Sequence, residues 1–190
     1  MELARNIRLK IGNSLLNKKV GKASRKATFE GIESVRRIGI VWDATQVDEF
    51  KNLSRFCQKM SERNVDVKVL GYFPGKNLPD QYTAIRYLSC IRREEVNFFY
   101  LPVSPESESF IKDRFDILID MNFKDLVPLK YMVYLSNAAF KIGLFESEND
   151  GKIFDLMMDM KKPVDVGIFL DQTLHYLEMI NPKKTESITH

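Results

Sequence analysis

Apolar residues at Phe115, Ile117, Leu118 and Ile119 form a short run that Lys112-Asp113-Arg114 precedes and Asp120 closes. A run of that length bounded by charge predicts a strand buried on both faces, the kind found in a parallel sheet between two layers of helix. A helical period follows from Leu126 to Ala138, and a second apolar run from Phe140 to Phe145. The same order occurs earlier in the chain. Arg37 to Trp42 predicts a strand ended by Asp43. Gln46 to Asn64 keeps a helical period through Val47, Phe50, Leu53, Phe56, Cys57 and Met60, and Val65 to Phe73 alternates until Pro74-Gly75 stops it. Thr45 with Asp48 predicts a capped helix start, and Asn64 a helix end. Two strand–helix–strand units with short loops imply parallel crossovers. The expected fold is therefore α/β, a single Rossmann-like, doubly wound domain with a mostly parallel sheet.

The flanks fill in around that core. Leu3, Ile7, Ile11 and Leu15 recur every four residues and predict an amphipathic helix over residues 2–20, with Gly21 as its stop. That row is expected to pack on the body or on a second subunit, with Lys18 to Lys26 reaching outward. Ile85 to Ile91 fits a strand or a short helix, and Phe98-Phe99-Tyr100-Leu101 a core or edge strand. Ser104-Pro105 has the chemistry of a helix start. Glu146 to Gly151 reads as a polar loop and Ile153 to Met160 as a strand at an edge or a partly exposed position, with Met157, Met158 and Met160 toward the core. Val164 to Ile180 reads as a last helix, stopped by Pro182. The division is a basic helix and linker over 1–36, the α/β domain over 37–181, and a disordered tail over 182–190.

Charge adds the one global asymmetry. Ten bases against three acids give residues 1–37 a balance of +7; with +3 for the whole chain, the remainder carries −4. A basic arm on a mildly acidic body suits a polyanionic partner: RNA, a membrane surface or an acidic protein. Its contacts would be Arg5, Arg8, Lys10, Lys18, Lys19, Lys22, Arg25 and Lys26. No apolar run approaches the roughly 18–20 residues that span a bilayer. Charges at Glu2, Arg5, Arg8 and Lys10 interrupt any signal-like segment. Cys57 and Cys90 sit in patterned segments and read as free thiols, so the expected compartment is the cytoplasm. The sequence gives no sign of oligomeric state.

Candidate chemistry is sparse. Asp43 and Asp120 each end a predicted parallel strand, where open α/β sheets hold their ligands. With Thr45 and Asn122 beside them they could bind a divalent cation or a sugar hydroxyl; equally, Asp ends strands by capping the next helix. Neither G-x-G-x-x-G nor G-x-x-x-x-G-K-[ST] occurs. His175 and His190 are the only histidines and have no partner at metal-ligand spacing, so no metal and no cofactor is expected.

Two resemblances accompany these readings. Residues 115–145 (FDILIDMNFKDLVPLKYMVYLSNAAFKIGLF), then FDLMMDM and HYLEMIN, with IGIVWDATQVDEF upstream, resemble an uncharacterised bacterial family recorded as a domain of unknown function. That resemblance covers residues 37–181 and implies a compact α/β protein without an established activity. FDILID, the following helix and AAFKIGLF are also similar to the N-terminal half of heptosyltransferase-type glycosyltransferases. IGIVWDATQVDEFKNL stands in the place of that family's first strand–helix unit. In this chain Asp43-Ala44-Thr45 replaces that family's Gly-Asp turn, and 190 residues leave no room for its sugar-nucleotide domain. The leading expectation is a non-enzymatic binding protein acting through its basic arm. The alternative is a small glycosyltransferase-like or ligand-binding domain using the strand-end carboxylates.

Overall fold

A computed structural model describes residues 2–20, 25–145 and 153–180. Gly21, Lys22, Pro182, His190 and the stretches read above as a polar loop (Glu146 to Gly151) and a disordered tail (182–190) lie outside the described residues. Six strands build the protein: β1 (Arg37–Asp43), β2 (Asp66–Phe73), β3 (Leu88–Arg92), β4 (Ile117–Met121), β5 (Phe140–Leu144) and β6 (Leu156–Met158). They form one sheet in the order β3-β2-β1-β4-β5-β6, and every neighbouring pair is parallel. This is the Rossmann strand order, with the switch of direction between β1 and β4.

Alternation along the central strands feeds two cores. Ile38, Ile40 and Trp42 of β1, with Ile117, Ile119 and Met121 of β4, face α2 (Phe50–Glu62) and α6 (Val166–Met179). Val41 and Leu118 join Leu70 and Tyr72 under α4 (Pro105–Lys112) and α5 (Val127–Leu135). Gly39 lets Phe115 lie flat on β1, because a Cβ there would sit 2.8 Å from the Phe115 ring and 2.9 Å from Leu118. Asp116 ties the start of β1 to β4, its carboxylate accepting from the amides of Arg36 (2.7 Å) and Arg37 (2.8 Å).

Helix ends largely follow the side chains written for them. Ser104 caps α4 by accepting from the Ser107 amide, and Asp165 caps α6 by accepting from Ile168. Asn64 takes the left-handed conformation (φ 57°), with Val65 and Asn64 amides returning to Met60 and Ser61 carbonyls as a Schellman motif.

Three local expectations differ from the structure, and one that was left open is decided by it. α2 begins at Phe50, after a single 3-10 turn over Val47–Glu49, because the Thr45 hydroxyl donates back to Asp43 (2.6 Å) and caps no helix. Phe98-Phe99-Tyr100 is a turn: Asn97 Oδ1 accepts from the amides of Phe99 and Leu101, taking the donors a strand would pair. The 85–91 stretch gives strand β3 after the short α3 (Asp80–Thr83). Of 153–160 only Leu156–Met158 pairs, at the sheet edge, since Asp155 turns its carboxylate to the Lys141 amide and to Arg25.

The largest difference concerns α1 (Glu2–Val20). The helix packs on α5, yet Gly12 and Leu16 are its buried residues, with Leu9 and Val20 beside them. The row expected to dock faces the other way: Leu3, Ile7, Ile11 and Leu15 remain 75%, 50%, 40% and 36% exposed. Gly12 explains the choice. A Cβ there would run into the Phe99 carbonyl oxygen, so only at this glycine can α1 approach so closely.

Candidate functional site

The carboxyl ends of β1 and β4 lie side by side at the switch point, with α2 leaving toward one face of the sheet and α5 toward the other. The structure does not join Asp43 and Asp120 into one site. Asp120 pairs in register with Val41, two residues short of Asp43, an offset of roughly 6–7 Å along the strands. Asp43 lines a crevice of about 190 Å³, walled by Trp42, Met121, Phe123 and Val164. Asp120 and Asn122 line a separate depression of about 20 Å³ beside Lys130 and Tyr134.

Both carboxylates are engaged by the chain itself. Asp43 is 2% exposed. Its Oδ1 accepts from the Thr45 amide (3.1 Å) and hydroxyl (2.6 Å); its Oδ2 accepts from Gln46 (3.3 Å) and pairs with Lys124 (3.2 Å). Asp120 Oδ1 accepts from the Asn122 amide (2.9 Å). The Asn122 side chain clasps the loop to α5, accepting from the Leu126 amide (2.8 Å) and donating to the Leu126 carbonyl (3.0 Å). These are turn-closing contacts, and carboxylates so occupied are poorly placed for proton transfer. Among the described residues no group of His, Cys, Asp and Glu could hold a metal ion. Burial pushes the Cys57 thiol up to about 12, and burial followed by Glu95 pushes Cys90 up to about 11; neither is poised as a nucleophile. His175 is exposed on α6 beside Tyr176.

The basic arm divides in two. Arg8 donates to the Phe98 carbonyl (2.7 Å), with its guanidinium over the rings of Phe98 (4.1 Å) and Tyr100 (4.7 Å). Lys19 donates to the Tyr131 hydroxyl (2.8 Å). Arg25 donates to the Ala139 (3.0 Å) and Ile153 (3.2 Å) carbonyls and pairs with Asp155 (2.8 Å). These three cations fasten the arm to the body, as cation–aromatic and charge-assisted contacts do. Arg5, Lys10, Lys18 and Lys26 stay exposed, and Lys22 lies outside the described residues. Lys10 and Lys18 fall three and seven residues beyond Ile7 and Ile11, on the same side of α1 as the outward apolar row.

Two features escaped the sequence reading. Trp42 forms a wall of the crevice and is 1% exposed, and its Nε1 has no hydrogen-bond partner among the described residues. The signal available was a lone tryptophan beside a strand-ending Asp. Lys141, inside the apolar run of β5, is 3% exposed and donates to the Val133 (2.7 Å) and Tyr134 (3.3 Å) carbonyls at the end of α5. Burial, helped by Arg25 and opposed by Asp155 and Asp120, lowers its ammonium to about 8.

A family model described as a family of unknown function (DUF6913) matches residues 8–180. No curated protein matches the chain, and the likeness to heptosyltransferases finds no support. Among the described residues no helix is long and apolar enough to cross a membrane.

Proposed function

The chain belongs to the DUF6913 family, which carries no assigned activity, and we propose that it is a binding protein whose α1 seats it on an anionic lipid surface. The observation behind this reading is the outward row Leu3, Ile7, Ile11 and Leu15, on a helix already anchored through its opposite side. Residues 3–29 contain eight bases and no acid. An apolar row with a lysine rim is the pattern of a helix lying in a bilayer interface, where lysine stems reach past the acyl boundary to the headgroups. A second copy would set bases against bases, and RNA would meet aliphatic side chains where it needs cations. Arg5, Lys10, Lys18, Lys22 and Lys26 would each add roughly 1 kcal/mol of attraction near an anionic surface. The glycosyltransferase-like alternative has less behind it, because Asp43 and Asp120 hold their own turns.

The test is flotation of the full chain with phosphatidylcholine vesicles, with and without phosphatidylserine. Binding to the serine-containing vesicles alone is expected, weakening as salt rises. Ile7→Ser with Ile11→Ser should lower that binding about tenfold or more while leaving the thermal melt in place, since each aliphatic contributes roughly 1.5–3 kcal/mol when buried. A parent chain that ignores both vesicles, or a double variant that floats as well as the parent, would overturn the proposal.

A further inference from the structure

We infer that the turn over residues 96–102 is a second lipid-contacting element with Phe98 as its aromatic anchor, an assignment that rests on the membrane-seated reading of α1. Phe98 is 64% exposed, the most exposed aromatic side chain among the described residues. It does not stand alone. Arg8 donates to the Phe98 carbonyl (2.7 Å) and lays its guanidinium over the Phe98 ring (4.1 Å). Arg8 itself lies about 60° round the helix from Ile11. The turn therefore runs along one flank of the outward apolar row, with Arg8 between them. A lone helix on a bilayer is free to roll about its own axis, and a second contact beside it stops the roll.

The backbone holds that ring in place. Asn97 Oδ1 accepts from the Phe99 (2.9 Å) and Leu101 (3.1 Å) amides, and the Tyr100 amide donates to the Asn97 carbonyl (3.0 Å). Val96 and Pro102 close the base as an antiparallel bridge, and Val96 and Leu101 are buried beneath it. A ring carried on so constrained a turn loses little freedom when a partner covers it. Charge identifies the partner. The Tyr100 ring takes Arg8 (4.7 Å) and Arg93 (5.3 Å). Arg93 is exposed and pairs with no carboxylate among the described residues, while its neighbours Glu94 (3.2 Å) and Glu95 (3.7 Å) both pair with Arg92. Arg8, Arg92 and Arg93 thus outnumber Glu94 and Glu95, and Arg5, exposed three residues before Arg8, adds to the excess. Exposed rings beside guanidiniums match the bilayer interface, where aromatic rings sit at headgroup depth and guanidiniums take phosphate oxygens. A second copy would bring the same excess of guanidiniums against its own, a like-charge arrangement that opposes pairing.

Phe98→Trp is the direct probe, because it keeps a ring under Arg8 and because Trp42, the chain's only tryptophan, is 1% exposed. With phosphatidylserine-containing vesicles its emission should shift to the blue and be quenched by lipids brominated in the acyl chain, while the parent shows neither change. Phe98→Ser should lower flotation of the full chain with these vesicles about fivefold. Arg93→Gln should lower it about threefold. Both variants should keep the parent's thermal melt and its mass by light scattering. Two outcomes separate this inference from the α1 reading. If the parent floats and Ile7→Ser with Ile11→Ser abolishes that, a Phe98→Ser chain that floats undiminished overturns the inference and leaves α1 on the bilayer. An unshifted, unquenched Phe98→Trp chain that still floats does the same. A parent that ignores the vesicles overturns both. A solution dimer that Phe98→Ser dissociates would give the ring to a second copy and overturn the lipid contact.

Discussion

The paired strands β1 and β4 and the helix α1 are both read from apolar periodicity, and they end in opposite situations. In the strands Ile38, Ile40, Val41, Trp42, Ile117, Leu118 and Ile119 are all buried, some under α2 and α6 and the rest under α4 and α5. In α1 the most regular apolar row faces solvent, and the docked side holds little more than Gly12 and Leu16. The difference lies in how many choices each element has. A strand that is apolar on both faces must be covered on both, whichever way it is turned. A helix with apolar residues on two sides can dock by either, and here a backbone approach at Gly12 and two cations over aromatic rings decide it. Periodicity locates an apolar row; it does not say what covers that row.

The comparison breaks most visibly at the centre. Leu118→Asp would put an unpaired carboxylate between Phe115, Gly39 and α5, where desolvating it costs more than the roughly 5–15 kcal/mol that holds a domain together. The variant should show no cooperative melt by circular dichroism. A soluble Leu118→Asp chain with a sharp transition would mean that the strand pair is not the core.

On α1 the same measurement should separate the two sides of one helix. Leu16→Ala empties a fully buried site and should cost about 2–4 kcal/mol, a fall of roughly 5–15 °C in melting temperature. Ile11→Ser, five residues earlier on the outward row, should change stability by less than about 0.5 kcal/mol. Equal losses from the two substitutions would show that α1 is docked by the row predicted from spacing.

How far the sequence could be read follows the same division. Strands β1, β2, β4 and β5, their parallel arrangement and the caps at Ser104 and Asn64 were legible, because local side chains and burial on both faces agree there. The start of α2 was misread because the Thr45 hydroxyl turns back to donate to the Asp43 carboxylate instead of accepting from a helix amide. Phe98-Phe99-Tyr100 looked like a strand because the capture of its amides by Asn97 is a turn signal that hydrophobicity outweighs. For the site, Asp43 and Asp120 were identifiable as strand-end carboxylates. That they end at different heights depends on register, which no local pattern carries. The inward roles of Arg8, Lys19 and Arg25 depend on partners about 90 to 130 residues away in sequence, so charge counting could not separate them from Lys10 and Lys18.

The smallest expected effect joins the two regions, because Arg25, just beyond α1, bears on a lysine of the central sheet. Lys141 is held at about 8 in the folded protein and returns to about 10.5 when unfolded. Below pH 8 both states carry the proton, and the folded chain bears the full penalty of a buried ammonium. Between the two values the folded protein sheds the proton while the unfolded chain keeps it, so stability rises with pH across that window. From about pH 7.5 to about pH 9.5 the gain should be on the order of 2 kcal/mol. Denaturant unfolding of the parent and of Lys141→Met isolates it, since the titrations of Cys57 and the tyrosines cancel between them. The difference in stability should grow through the window in the parent's favour. Arg25→Gln removes a charge that helps lower Lys141 and frees Asp155, which raises it, so in that background the growth should begin at higher pH. A parent-minus-variant difference that stays flat from pH 7.5 to 9.5 would mean that Lys141 keeps its proton in the sheet and that the arm exerts no electrostatic hold on the core.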